Sequence, residues 1–84
     1  MVATRHSLVF PEESLFFRLD GVCFVLLPSG IAYAQDDQGQ LLLLIPSYAA
    51  EIARMLDHAE VLTEMEFRAD LAEDASLPEP VEGR

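Results

Sequence analysis

Residues 14–27 read SLFFRLDGVCFVLL, two apolar runs joined by Asp20-Gly21, and they decide the fold. From Leu15 to Leu19 every second residue is leucine or phenylalanine, which is the period-2 pattern of a β-strand with a buried face. Asp-Gly between two apolar runs is a strong hairpin signal, because a type I′ turn needs positive φ at both central residues. The second run is apolar on both faces and predicts a central strand.

Turn residues divide the following stretch into two more strands. Pro28-Ser29-Gly30 ends the second run, since proline fixes φ and glycine allows the turn. Residues 31–35 predict a weaker strand, and residues 40–45 predict a second fully apolar one after a polar loop. The sequence therefore predicts a four-stranded antiparallel meander over 14–45, with a possible fifth strand at 8–10. An alternative remains open at residues 11–19, where a proline followed by two glutamates could begin a helix.

The second half of the chain predicts helix. Ser47 is a candidate N-cap, and apolar residues then recur at helical spacing from Tyr48 to Leu62. A second helix start lies at Thr63, where a threonine followed three residues later by a glutamate forms a capping box. Leu62 and Phe67 flank this box as a hydrophobic staple. We expect two helices with a break near 60–63; one continuous helix from 48 to 74 is the alternative.

These patterns predict one α+β domain over residues 1–74. Its small antiparallel β-meander of four to five strands is followed by two C-terminal helices packed on one face. A chain of 84 residues is long enough for one domain and too short for two. Residues 75–84 contain Pro78, Pro80 and two glutamates, and they predict a flexible acidic tail.

The charge of the chain limits its partners. The formal net charge is −10, of which residues 46–84 carry −7, and the five basic residues are all arginines. Direct nucleic-acid binding needs a basic patch that replaces counterions on phosphates, so we expect none, and anionic membrane surfaces are excluded by the same reasoning. A partner with a basic surface is favoured. Without a signal-peptide pattern or a long apolar run, we expect a cytoplasmic location.

No residue pattern for catalysis, cofactor binding or metal binding emerges. Cys23 lies in an apolar run and is expected to be a buried small side chain. His58 lies near the end of a predicted helix, where it can interact with the exposed carbonyls. Asp36-Asp37-Gln38-Gly39 resembles a calcium-binding loop only loosely and is interpreted as a turn. We expect a protein that is not an enzyme and needs no cofactor.

Two surfaces are candidates for binding a partner. The first is the acidic second helix, which is either a solvated face or a surface that fits a basic groove; its acidic residues are Glu64, Glu66, Asp70, Glu73 and Asp74. The second is the sheet face that two helices on one side would leave uncovered, with Phe16 and Phe24 exposed on it. Such a face could form a homodimer or accept a partner strand.

Two segments carry a resemblance to a known family. Residues 25–30, VLLPSG, and residues 48–57, YAAEIARMLD, with the capping box behind them, resemble the PqqD-like peptide-chaperone family over roughly 22–74. The stretch 35–44 is longer than in that pattern. The resemblance implies a small antiparallel sheet followed by winged-helix-type helices. It also implies that a precursor peptide binds as an added strand, without catalysis.

The sequence thus predicts a non-enzymatic small acidic regulator or inhibitor that binds a partner protein or peptide. In size and charge it is similar to antitoxins, immunity proteins and anti-CRISPR proteins. The alternative is the PqqD-like module that captures a precursor peptide as an added strand. The acidic helix and the uncovered sheet face stay open as binding surfaces, and the oligomeric state is open as well.

Overall fold

A five-stranded antiparallel sheet is the centre of the computed structural model, which describes residues 8–78. Its strands are β1 (Leu15–Leu19), β2 (Val22–Leu26), β3 (Ala32–Gln35), β4 (Leu41–Leu43) and β5 (Glu60–Leu62). The order across the sheet is β4-β3-β2-β1-β5. The first four strands are the predicted meander, and β5 joins it beside β1. The α+β fold class is confirmed.

The β1–β2 hairpin forms as the Asp-Gly signal predicts. Asp20 has φ 53° and Gly21 has φ 79°, the two positive values that a type I′ turn requires. Phe17 lies opposite Phe24 in the paired strands. Residues 11–14 form a turn closed by the Ser14 N–H, which donates to the Pro11 carbonyl at 3.3 Å. Residues 11–19 therefore form a turn followed by a strand, and the alternative of a helix at these residues is wrong.

Two helices follow the meander, as the first of the two alternatives predicted. They are α1 (Pro46–Arg54) and α2 (Glu64–Ala69), separated by a 3₁₀ turn at Leu56–His58 and by β5. The helix α1 begins at Pro46 with Ile45 as its N-cap, so Ser47 is not the cap residue. Proline suits the first helical position because its missing N–H has no intrahelical partner there.

The predicted capping box starts α2. The Glu66 N–H donates to Thr63 Oγ1 at 3.0 Å, and the Thr63 N–H donates to Glu66 Oε1 at 2.8 Å. Leu62 and Phe67 are buried in one cluster, so the hydrophobic staple is confirmed as well. The helix ends at Ala69, and the residues from Asp70 onward that the sequence assigned to it lie beyond its end.

The sheet is apolar on both faces, because alternate residues of its strands belong to two separate clusters. The Phe16 face carries Phe16, Val25 and Tyr33, which pack with Phe67 of α2. The Phe17 face carries Phe17 and Phe24, which pack with Ile52 of α1. Phe17 and Phe24 stack with their ring centroids 5.5 Å apart.

The two helices therefore lie on opposite faces, and the prediction that they share one face is wrong. The physical reason is that a central strand with large apolar residues on both sides needs two covers. The strand β5 allows α1 and α2 to lie on opposite faces of the sheet. It pairs with β1 at the edge of the sheet, and the chain leaves it on the side opposite to α1.

The segment before β1 completes the cover of the Phe16 face. Phe10 is buried, and its ring meets those of Phe16 and Phe67 edge to face, with centroids 5.2 and 5.7 Å away. Arg68 lies over the Phe10 ring, 5.0 Å from its centroid, and also donates to the Leu8 carbonyl. A cation over an aromatic ring face is an attractive contact. Arg68 therefore stabilises the packing of residues 8–10 on α2.

The segment after α2 also packs on the Phe16 face. Ala75 is buried, Leu77 packs against the cluster, and the Tyr33 hydroxyl donates to the Pro78 carbonyl at 2.9 Å. The prediction that a flexible tail begins at residue 75 is wrong for residues 75–78, because Leu77 offers apolar surface that the sheet buries. Residues 79–84 of that predicted tail lie outside the described residues.

The segment after α2 contacts the backbone of Gly39, in the loop before β4. The Ala72 N–H donates to the Gly39 carbonyl at 3.0 Å. A Cβ atom at Gly39 would lie 2.6 Å from the Ala72 nitrogen and 2.7 Å from the Asp70 oxygen. Both contacts are with backbone, which cannot swing away.

We expect Gly39→Ala to destabilise the fold more than Gly21→Ala. The two glycines have nearly the same φ, +82° and +79°, and Gly21 has open space around its missing side chain. The difference in the free energy of unfolding should be about 1–3 kcal/mol, the usual cost of overpacking. Urea denaturation of both variants measures it, and equal losses would contradict the close contact at Gly39.

We also expect Ile52→Ala and Phe67→Ala to be destabilising to a similar degree. Each removes the main buried side chain of one cover, at a cost of about 2–5 kcal/mol. The matched control is Met65→Ala, since Met65 lies in α2 and is 79% exposed; it should change stability by less than about 0.5 kcal/mol. If either core variant unfolds at the urea concentration of the control, that helix is not an essential cover.

Candidate binding groove

An open groove of about 650 Å³ lies at one end of the sheet, between α1 and the turn that joins β2 to β3. This volume falls in the range of ligand pockets, about 300–1,000 Å³. We call it the end groove. Strand ends, the turn and the first two turns of α1 form its walls, which comprise Glu13, Leu15, Leu26, Leu27, Pro28, Ser29, Gly30, Ile31, Leu43, Leu44, Pro46, Ala49, Ala50 and Ala53.

The helical wall of the end groove is made of small side chains. Ala49 is buried, Ala50 is exposed and Ala53 is half-buried, and all three line the space. Ile52 on the same helix is buried against Phe17 and Phe24. The side chain that α1 packs on the sheet is therefore large and apolar, whereas those that face the groove are small. Because they are small, space remains between the helix and the hairpin.

The opposite wall is the β2–β3 hairpin. Its pairing continues beyond the regular strands, since the Leu27 N–H donates to the Ile31 carbonyl at 2.8 Å and the Gly30 N–H donates to Leu27 at 2.9 Å. Gly30 has φ +99°, a backbone conformation that glycine adopts without steric cost. The hairpin therefore carries its leucines past the end of the sheet core.

Apolar side chains are exposed at and beside the end groove. Leu15 lines it and is 48% exposed. Ile45, between the lining residues Leu44 and Pro46, is 65% exposed, and Tyr48 at the start of α1 is 46% exposed. Exposed apolar side chains beside a groove commonly mark a site of interaction.

Glu13 brings a carboxylate to this apolar rim. It is exposed, and its backbone has φ 70°, in the left-handed region. It occupies the third position of the turn at 11–14, where the Ser14 Oγ also donates to the Pro11 carbonyl at 2.7 Å. Of the described residues that line the end groove, Glu13 is the one with an ionisable side chain.

The structure does not leave Phe16 and Phe24 on an uncovered face. Their side chains are 8% and 4% exposed, because α2 and the end segments cover one and α1 covers the other. The prediction that these phenylalanines are exposed on an uncovered sheet face is wrong. The exposed apolar surface lies instead at the end of the sheet.

The acidic residues of α2 have partners within the chain. Glu64 forms an ion pair with Arg68 at 2.8 Å, and Glu66 closes the capping box. Asp74 accepts a hydrogen bond from Gln40 Nε2 at 2.9 Å. Asp70 and Glu73 are exposed beyond the end of the helix. The five acidic candidates therefore do not form one helical face, because α2 is only six residues long.

A second depression, of about 490 Å³, lies at the opposite end of the sheet and is polar. Its walls include the loop 36–39 and Asp70. Asp36 Oδ1 accepts the N–H groups of Gln38 and Gln40 at 2.8 and 2.9 Å, which is the geometry of a side chain closing a turn. Within residues 8–78 no cluster of His, Cys, Asp or Glu could hold a metal ion.

The structure separates the residues that could have formed a nucleophile and base. Cys23 is buried in the cluster on the Phe16 face. His58 is exposed on the turn after α1, beside residues that pack on the Phe17 face.

Arg18, opposite Cys23 in the hairpin, forms an ion pair with Glu60 at 2.8 Å. Its hydrogen bond to Glu60 raises the pKa of the guanidinium, with a smaller effect of Cys23.

The outer edge of β4 presents peptide groups next to the end groove. The Leu44 N–H donates to Ala32 at 3.0 Å and the Asp36 N–H donates to Gln40 at 2.8 Å. Bonding alternates along an antiparallel pair, so the peptide groups of Leu41 and Leu43 point away from β3. In the part of the chain that the structure describes, no strand pairs with this edge.

Sequence reasoning missed the end groove. The two signals present were the alanines of α1 on one side of the helix and the Pro-Ser-Gly turn after an unusually long apolar run. Neither is specific, because alanine is common in helices that bury no ligand. The groove arises from the relative placement of α1 and the hairpin, which one sequence does not display.

Comparison with known proteins identifies no relative. No family model matches the chain, and neither the curated proteins nor the solved structures include a match. The resemblance to PqqD-like domains stays a prediction. Among the described residues, no helix is long and apolar enough to cross a membrane.

Proposed function

We propose that this chain is a non-enzymatic regulator or inhibitor that binds a partner protein by taking an apolar segment of it into the end groove. The observation that carries the proposal is the groove itself: an open space of about 650 Å³ with apolar walls and exposed leucine and isoleucine at its rim. Burying such surface on binding is favourable by roughly 25 cal/mol per Å² of apolar area, before the costs of association.

The chemistry of the walls favours a peptide segment over a small polar ligand. Small-molecule sites combine apolar walls with several convergent polar groups. In the end groove, Ser29 and Glu13 are the lining residues with polar side chains. A segment with apolar side chains needs few polar partners and can contact the exposed Leu15 and Ile45 at the groove.

The electrostatics of the chain supports a basic partner. With a net charge of −10, the domain attracts cationic surfaces at long range and repels acidic ones. The acidic residues of α2 that have partners within the chain, Glu64 and Glu66, are less suited to bind an outside cation, because each would exchange one contact for another. We therefore propose that the net charge attracts the partner at long range and that the end groove makes the direct contact with it.

We expect Ala50→Phe to abolish binding by filling the end groove. Ala50 is exposed, so the larger side chain projects into the groove without entering the core. Peptides are first selected from a random displayed library on the wild-type chain, and their affinity is then measured by fluorescence anisotropy. The loss for Ala50→Phe should exceed 10-fold, which corresponds to about 1.4 kcal/mol.

The matched control is Ala69→Phe, which places the same side chain at an exposed alanine of α2, away from the groove. It should bind the selected peptides as the wild-type chain does. If both variants bind equally well, the end groove is not the site. If both fail while their thermal unfolding matches that of the wild-type chain, the peptides bind elsewhere.

A second function is favoured by the outer edge of β4. A precursor peptide could add to this edge as a sixth strand, as the PqqD-like resemblance implies, with α1 beside it. The outward peptide groups of Leu41 and Leu43 support this alternative, because strand addition uses main-chain hydrogen bonds. The Ala72 N–H, bonded to Gly39, already occupies the start of the same edge.

Amide hydrogen exchange distinguishes the two modes. If a selected peptide adds as a strand, the N–H groups of Leu41 and Leu43 should become protected, while that of Leu42, which faces β3, should change little. Groove binding without strand addition should leave all three rates nearly unchanged. Protection of Leu41 and Leu43 would make strand addition the main mode.

A further inference from the structure

We propose that Glu13 makes the end groove selective for an apolar segment that carries a lysine or arginine. This inference rests on the proposed function, and it names the chemistry of the occupant. The partner segment places its apolar side chains against the walls and its cation at the Glu13 end. Glu13 is thus a specificity-determining residue of the groove.

The charge of Glu13 supports this role. Glu13 is the ionisable residue among the described lining residues, and its carboxylate makes no ion pair with any residue between 8 and 78. The arginines described in that range have other contacts: Arg18 pairs with Glu60, Arg54 with Glu51 and Arg68 with Glu64. A negative charge beside an apolar wall therefore remains available to a partner.

The backbone conformation of Glu13 supports this role as well. A residue other than glycine at φ 70° is uncommon, and such strain persists where the surrounding structure holds it. The third position of this turn favours glycine or asparagine. Because the Pro11–Ser14 turn is closed by two hydrogen bonds, it holds the glutamate at the rim.

A basic side chain also fits the groove beside Glu13. Lysine and arginine have long apolar stems, which pack along apolar surface while the charged end stays in water. Leu15 and Leu26 line the groove with Glu13 and offer such a surface. A carboxylate at an exposed rim suits the charged end, since it remains partly hydrated. The net charge of −10 then favours the approach of the same segment.

The experiment compares peptide selections on three chains: wild type, Glu13→Gln and Glu12→Gln. The two variants lose the same charge from neighbouring exposed residues of one turn, and Glu12 does not line the groove. Random displayed peptides are selected on each chain at physiological salt. Peptides that also bind Ala50→Phe are discarded, so that those retained depend on the groove.

We expect lysine and arginine to be enriched next to apolar residues in the wild-type and Glu12→Gln selections, and this enrichment to disappear with Glu13→Gln. A selected basic peptide should bind Glu13→Gln about 2- to 5-fold more weakly than Glu12→Gln, the range of an exposed charge pair. Replacing its basic residue by glutamine should remove that difference. Glu13→Gly, which relieves the positive φ, should show the same loss with a fold at least as stable.

Each other outcome is decisive. Groove-dependent peptides without enrichment of basic residues, or with equal losses for Glu13→Gln and Glu12→Gln, would overturn the role of Glu13 and leave the proposed function intact. A selection in which no peptide is lost on Ala50→Phe would overturn the proposed function, and the role of Glu13 with it.

Discussion

A small sheet with large apolar residues on both faces must be covered twice, and the rest of this structure depends on that constraint. Phe16 and Phe17 are neighbours in β1 and point to opposite faces, and both are buried. An 84-residue chain has few residues outside the sheet with which to cover both of its faces. It uses α1 for one face, and α2 together with both end segments for the other.

The same constraint explains where the end groove lies. The nine residues of α1 span roughly 14 Å at 1.5 Å per residue, so the helix covers the middle of the Phe17 face and leaves the end of the sheet open. The β2–β3 hairpin extends beyond that cover with its leucines. The end groove is the space that remains between them, and its apolar character is that of a core surface left without a cover.

Much of the fold could be predicted because its signals are local. The Asp-Gly turn, the four strands of the meander and the capping box at Thr63 each depend on a few neighbouring residues, and each forms as expected. The position of α2 could not be predicted, because its face depends on β5, a three-residue strand in a segment whose apolar spacing is also helical. The packing of Leu77 had no local signal either, since two prolines within the next three residues are typical of mobile ends.

The candidate site was predicted less well, because it is made by distant parts of the chain. Phe16 and Phe24 were chosen on the assumption of an uncovered face, and the acidic residues on the assumption of a long second helix. The end groove combines Glu13, the hairpin turn and α1, which are brought together by the tertiary fold alone.

We propose that a partner contacts this chain at the end groove, and methyl NMR of the wild-type chain tests this proposal. Leucine and alanine methyl groups of the wild-type chain are labelled, and a peptide selected on the chain is added in steps. We expect shifts at Leu43, Ala49 and Ala50 that saturate together, while Leu62, in the cluster on the Phe16 face, stays unchanged. Saturating shifts at Leu62 or Ala69 with none at Ala49 and Ala50 would contradict it.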